Sequence, residues 1–103
     1  YNENVIEKVE KMETTGRQMV ISGRVQGVGF RYFCVRHAQR LGVRGYVKNL
    51  PDGSVLVRAY GTPSQIDEFT RLVRKGPAFA QITGAESDIV PDDPEAQMFE
   101  VRF

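Results

Sequence analysis

At 103 residues, 41% hydrophobic and with ten glycines, the chain has the size and composition of one globular domain with a single core, and too little mass for two. Fourteen Lys and Arg stand against thirteen Asp and Glu, and the net charge of +1 removes any electrostatic case for nucleic acid or a membrane surface as partner. One cysteine, Cys34, cannot close an internal disulfide, and there is no long apolar run or leader pattern, so a soluble cytoplasmic protein is expected.

The chain opens on Tyr1 rather than Met, which implies an upstream segment that was cleaved or removed. Residues 1–16 read as an N-terminal extension ahead of a domain spanning 17–103. Within the extension Val5, Ile6, Val9 and Met12 share one helical face, and Glu7 with Lys11 is a favourable i,i+4 pair. The expectation is a short helix lying on the domain or mediating self-association of an otherwise monomeric protein. The competing reading is a frayed tail, since isolated helices of this length are marginal. Gly16 ends it.

Residues 18–25 alternate, with Met19, Ile21 and Val25 on one side, and predict a strand. After a glycine loop, Phe30, Phe33, Cys34, Ala38 and Leu41 recur at helical spacing, and Gly42 supplies a stop. Cys34 falls on the apolar face as a small buried hydrophobe, and the single His37 has no companions at metal-ligand spacing. Residues 43–49 form the next strand, with Val43, Gly45, Val47 and Asn49 on one face. Leu50-Pro51-Asp52-Gly53 is a turn, and residues 54–60 return to complete a hairpin with Val55, Val57 and Ala59 inward. Thr62-Pro63-Ser64-Gln65 has the N-cap, first-turn proline and capping-box glutamine of a helix start, followed by the stripe Ile66, Phe69 and Val73 and the stop Gly76-Pro77. A weakly alternating strand over 80–89, a loop at 91–94 and a short strand over 98–103, with Phe99, Val101 and Phe103 on one face, complete the chain. This order predicts an α+β ferredoxin-like sandwich (βαββαβ), an antiparallel sheet covered on one face by two helices, with the final strand added.

Everything turns on Gly23-Arg24-Val25-Gln26-Gly27-Val28-Gly29-Phe30-Arg31. Gly27 and Gly29 can take positive φ, so the backbone amides of Gln26, Gly27, Val28, Gly29 and Phe30 can converge at a helix N-terminus into a nest for an anion. Arg31 adds a planar cation suited to phosphate oxygens, at a helix end where a cation otherwise opposes the dipole. In a split βαβ arrangement strands one and two are parallel with strand three between them. Asn49 therefore ends its strand at the same sheet edge, on the order of 10 Å away at twice the interstrand spacing. No nucleophile–base pair and no Asp/Glu/His constellation for a metal accompanies these residues, so neither a metal nor a cofactor is expected.

The string from Gly23 to Arg31 resembles the signature of the acylphosphatase family. A second family signature is similar to Gly45-Tyr46-Val47-Lys48-Asn49-Leu50-Pro51-Asp52-Gly53-Ser54-Val55 and on to Gly61. The likeness runs from about Gln18 to Phe103. It implies an enzyme that hydrolyses acyl phosphates to a carboxylate and inorganic phosphate without a metal, with Arg31 binding the phosphate and Asn49 positioning the attacking water. Two other readings remain open at this point. One is RNA binding on the sheet through Tyr46 and Tyr60 with Arg44, Lys48 and Arg58, as ferredoxin-like sheets do. The other is a carbamoyl-phosphate-processing domain of a larger protein.

Overall fold

Alternating and helical apolar spacings become five strands and two helices in the computed structural model, which describes residues 13–103. In chain order they are β1 (Thr15–Arg24), α1 (Phe30–Leu41), β2 (Arg44–Asn49), β3 (Val55–Gly61), α2 (Pro63–Lys75), β4 (Gln81–Val90) and β5 (Phe99–Arg102). They form one sheet in the order β4-β1-β3-β2-β5. The helix expected near the N-terminus falls mostly on residues 1–12, which lie outside the described residues. Thr15 and Gly16, assigned to that extension from sequence, are instead the first residues of β1, paired with Gly61 and Tyr60 of β3. Gly16 serves close approach rather than a break: a Cβ there would stand 2.8 Å from the Pro91 carbonyl oxygen and 2.9 Å from the Tyr60 ring.

β3 lies between β1 and β2 and runs antiparallel to both, so β1 and β2 are parallel and end at the same sheet edge. Their odd-numbered side chains meet the two helices. Met19, Ile21, Val47, Val55, Val57 and Ala59 pack against Phe30, Cys34 and Ala38 of α1 and Ile66, Phe69 and Val73 of α2, all at most 1% exposed. Burial on this scale, at roughly 25 cal/mol per Å2 of apolar surface, is what drives the two layers together. α1 stops where Gly42, at φ 77°, turns its N–H back to the carbonyls of Ala38 and Gln39. α2 begins with the predicted capping box: Thr62 Oγ1 accepts from the Gln65 N–H, and Gln65 Oε1 accepts from the Thr62 N–H at 2.9 Å.

The sheet departs from the antiparallel expectation at one edge, where β5 runs parallel to β2, with Gly45 opposite Phe99 and Lys48 opposite Arg102. The cause is the route of the preceding loop. β4 finishes beside the start of β1, so the chain must cross the end of the sheet before it can add another strand. Arg44 fixes that crossing by donating to the carbonyls of Asp93 and Ala96, both at 2.8 Å, and to Asp92 Oδ1 at 2.7 Å. Arriving beside the first residues of β2, β5 can only run the same way, and it carries the chain back to the edge where β1 and β2 end. No helix among the described residues is long and apolar enough to cross a membrane.

Candidate active site

β1 ends at Arg24, and residues 25–29 lead directly into α1. Gly27 (φ 74°) and Gly29 (φ 79°) both occupy the left-handed region. A Cβ at either would meet nothing within 4 Å, so it is dihedral freedom, not space, that requires glycine here. Gly29 is the N-cap of α1; no side chain caps the helix and its first turn holds no acidic residue. The first amides of α1 and the positive end of its dipole are therefore left for a ligand. Arg31, half-buried, rises from that same turn.

At the adjacent strand end, the register of β2 on β3 sets Asn49 opposite Val55, on the helix-covered side shared with Val47. Its Oδ1 is buried without a hydrogen-bond partner, the one side-chain oxygen or nitrogen of this kind among the described residues. Orphaned buried acceptors cost about 1–3 kcal/mol, so one held at a site calls for a donor other than the described residues supply. Asn49 and Arg31 line one cleft of about 380 Å3, together with Gly27, Gly29 and Phe30. Gln26 and Val28 belong to the same loop but do not line that cleft, and Val28 packs against the core.

Gln26 does something the sequence reading, which used only its backbone amide, did not see. Its Nε2 donates to the carbonyls of Leu50 and Ser54, both at 2.8 Å. These flank the turn that follows Asn49, which closes on itself through Leu50 N–H to Ser54 O at 2.9 Å and Gly53 N–H to Leu50 O at 3.1 Å. One side chain thus ties the glycine loop to the segment carrying Asn49. The contact joins residues 24 and 28 positions apart, and no local pattern announces it.

Two further residues were read differently from sequence. Phe103 does follow Phe99 and Val101 in phase, but it lies beyond the strand and is 94% exposed, its ring centroid 5.2 Å from the Arg31 guanidinium carbon. Tyr60, a candidate for stacking bases, is only 4% exposed. Three of the other candidates on that face, Arg44, Arg58 and Tyr46, are engaged within the chain. Arg44 holds the crossing loop, Arg58 donates to Gln18 Oε1, and Arg102 covers Tyr46 at 4.0 Å. A larger groove of about 540 Å3 lies there, walled by both acids and bases. Cys34 is wholly buried, and burial pushes its thiol far above the usual range. His37 stacks edge-on against Phe33, its pKa lowered by partial burial and by Arg40 and Arg36. Among the described residues no three His, Cys, Asp or Glu side chains converge as a metal site would need.

The acylphosphatase family profile matches residues 17–101. A protein named acylphosphatase from Archaeoglobus fulgidus is 51% identical over 69 residues, 67% of this chain and 78% of that one. The acylphosphatase of Rubrobacter xylanophilus is 43% identical over 97 residues, 93% of this chain and 88% of its own. Among solved structures, the crystal structure of acylphosphatase from Bacillus subtilis aligns with a TM-score of 0.82 at 30% identity, over 86% of this chain and 99% of that chain.

Proposed function

The chain belongs to the acylphosphatase family and hydrolyses acyl phosphates; we propose that residues 26–31 and Asn49 carry that reaction. The observation that supports the assignment is the shared cleft, where Arg31 faces the same space as Asn49, whose buried Oδ1 has no partner among the described residues. An acyl phosphate is a mixed anhydride, and its leaving group is a carboxylate that needs no strong general acid. In this reading the loop amides, led by those of Gly27, Gly29 and Phe30 at the cleft, and the Arg31 guanidinium bind the phosphoryl oxygens and stabilise their developing charge. A water donates one hydrogen to Asn49 Oδ1 and directs its lone pair at phosphorus, in line with the bridging oxygen. The water oxygen–phosphorus bond forms as the bond from phosphorus to the acyl oxygen breaks. The electron pair leaves with the carboxylate, and the water's proton passes to the phosphate.

The same reading makes the attack direct and independent of metal and places the enzyme in the cytoplasm as a monomer. A buried, unpaired Cys34, which suits a reducing compartment, is the support for that location. The test is hydrolysis of benzoyl phosphate in EDTA by wild type, Arg31→Ala and Asn49→Ala, with inorganic phosphate as inhibitor. Arg31→Ala is expected to lose turnover by about 10²–10³-fold, the scale for removing one charge-stabilising donor, and most phosphate affinity with it. Asn49→Ala is expected to lower turnover while inhibition by phosphate persists. Equal phosphate inhibition in wild type and Arg31→Ala would overturn the assignment.

A further inference from the structure

We propose that Tyr32, Val35, Val101 and Phe103 form an acyl-binding wall beside the phosphate cradle and select acyl phosphates whose acyl group is apolar. This rests on the reading that the cleft binds the phosphoryl group. At about 30 Å3 per water, the 380 Å3 cleft has room for roughly a dozen, far more than a phosphoryl group and one attacking water occupy. The remainder is bounded mainly by carbon. Val35 and Val101 are half-buried, with faces turned to the core and to the cleft. Tyr32 and Phe103 are 71% and 94% exposed, and both line the cleft. Phe79, Ile89 and Met98 are also exposed, but of the five only Tyr32 and Phe103 converge on this cleft, where together with Val35 and Val101 they make one apolar surface.

The polar inventory of the walls is equally telling. Among the described residues Arg31 is the sole charged side chain lining the cleft, and Asn49 and the Tyr32 hydroxyl are the other polar groups on its side chains. A phosphoryl group and its water use the first two. A second carboxylate, an amine or a run of hydroxyls on the acyl group would find few partners on this wall and gain little from it, whereas an aryl or branched alkyl group gains by covering Tyr32, Val35, Val101 and Phe103. Phe103 lies against the guanidinium that would grip the phosphate, so its ring also borders the substituent one anhydride linkage away.

The test compares kcat/KM for benzoyl phosphate and acetyl phosphate in wild type, Phe103→Ala and Tyr32→Ala, with inhibition by inorganic phosphate checking each variant's cradle. Wild type is expected to prefer benzoyl phosphate by about tenfold or more, the discrimination a hydrophobic pocket provides. Phe103→Ala should shrink that ratio several-fold, with Tyr32→Ala moving it the same way. A wild-type ratio near one, or a ratio unchanged in both variants, overturns the acyl wall while leaving the phosphate cradle standing. Hydrolysis of neither substrate by wild type overturns the cradle reading instead.

Discussion

Gln26→Leu keeps the size of the side chain and removes both of its donors. The two hydrogen bonds, at 2.8 Å to Leu50 O and Ser54 O, are part-buried, and Ser54 O retains only the Leu50 amide. At about 0.5–1.5 kcal/mol net for each bond, with an added cost for acceptors left short, the substitution should destabilise the fold by about 2–3 kcal/mol. For a domain of this size that lowers Tm by roughly 10–20 °C. The catalytic effect has a different signature. Without the strap, the turn after Asn49 loses its direct tie to the glycine loop, and errors on the ångström scale in a reacting water cost up to about 10²-fold. Turnover should fall by about 10–100-fold, while KM and phosphate inhibition, set by the cradle, stay within about threefold. Steady-state kinetics on benzoyl phosphate well below the lowered Tm separates the two. Gln26→Glu adds a second readout: a carboxylate cannot donate, but its protonated form can, so that variant should recover part of its turnover as the pH is lowered. A variant that melts earlier yet turns over as fast as wild type would reduce Gln26 to a structural strap.

Gly29→Ala has space for its Cβ but must hold φ 79°, at a cost of about 1–2 kcal/mol, and should weaken phosphate inhibition; Gly29→Asn should do so less, and equal losses would count against the dihedral argument. Arg44→Met frees the crossing loop and should cost about 2 kcal/mol in urea unfolding. Burial raises the Asp92 carboxyl, but the Thr14 hydroxyl and Arg44 outweigh it and hold its pKa below the ordinary 3.8. The folded state thus binds fewer protons there than the unfolded state. Its contribution is complete above about pH 4 and is lost as pH falls through the lower folded value. Asp92→Asn should lose stability at pH 7 and flatten the acid limb of the urea midpoint; an unchanged limb would refute the assignment. Cys34 should resist iodoacetamide at pH 8 in the native protein and react only as fast as the fold opens, which mass spectrometry over time can read.

Much of this molecule is written in local pattern. Phe30, Cys34 and Ala38, and Ile66, Phe69 and Val73, announce two helices by spacing, and Val55, Val57 and Ala59 announce a strand face because those periods are enforced by burial. Gly27, Gly29 and Arg31 are legible as the proposed cradle because paired glycines allow left-handed turns and a cation at a helix start opposes the dipole. Alternation, however, says which face a residue takes and not which strand lies beside it, so the parallel placement of β5 was invisible. Gly16 misled for a related reason: glycine marks both chain breaks and close approach, and only the Tyr60 and Pro91 neighbours decide which. Phe103 was in phase with a core face, yet no period tells where the core stops. The Gln26 side chain was illegible because its partners are two backbone carbonyls, which have no sequence identity to read.

The placement of β1 between β3 and β4 governs when the sheet can exist at all. Gly16 pairs with Tyr60 and with Val90, and Gly45 with Phe99, so apart from the β2–β3 hairpin nearly every rung joins distant parts of the chain. Loop closure over such distances is slow, which puts folding on the order of milliseconds to seconds rather than microseconds. During synthesis β1 emerges before β3 and waits for residues 55–61 to pair on one side and for residues 81–90 on the other. The four residues of β5, paired along one side only, are the last to join and the first to fray. Because that short ribbon carries Phe103 to Arg31, the mouth of the cleft rests on the least anchored strand of the sheet, while its floor rests on the strands the rest of the fold locks in place.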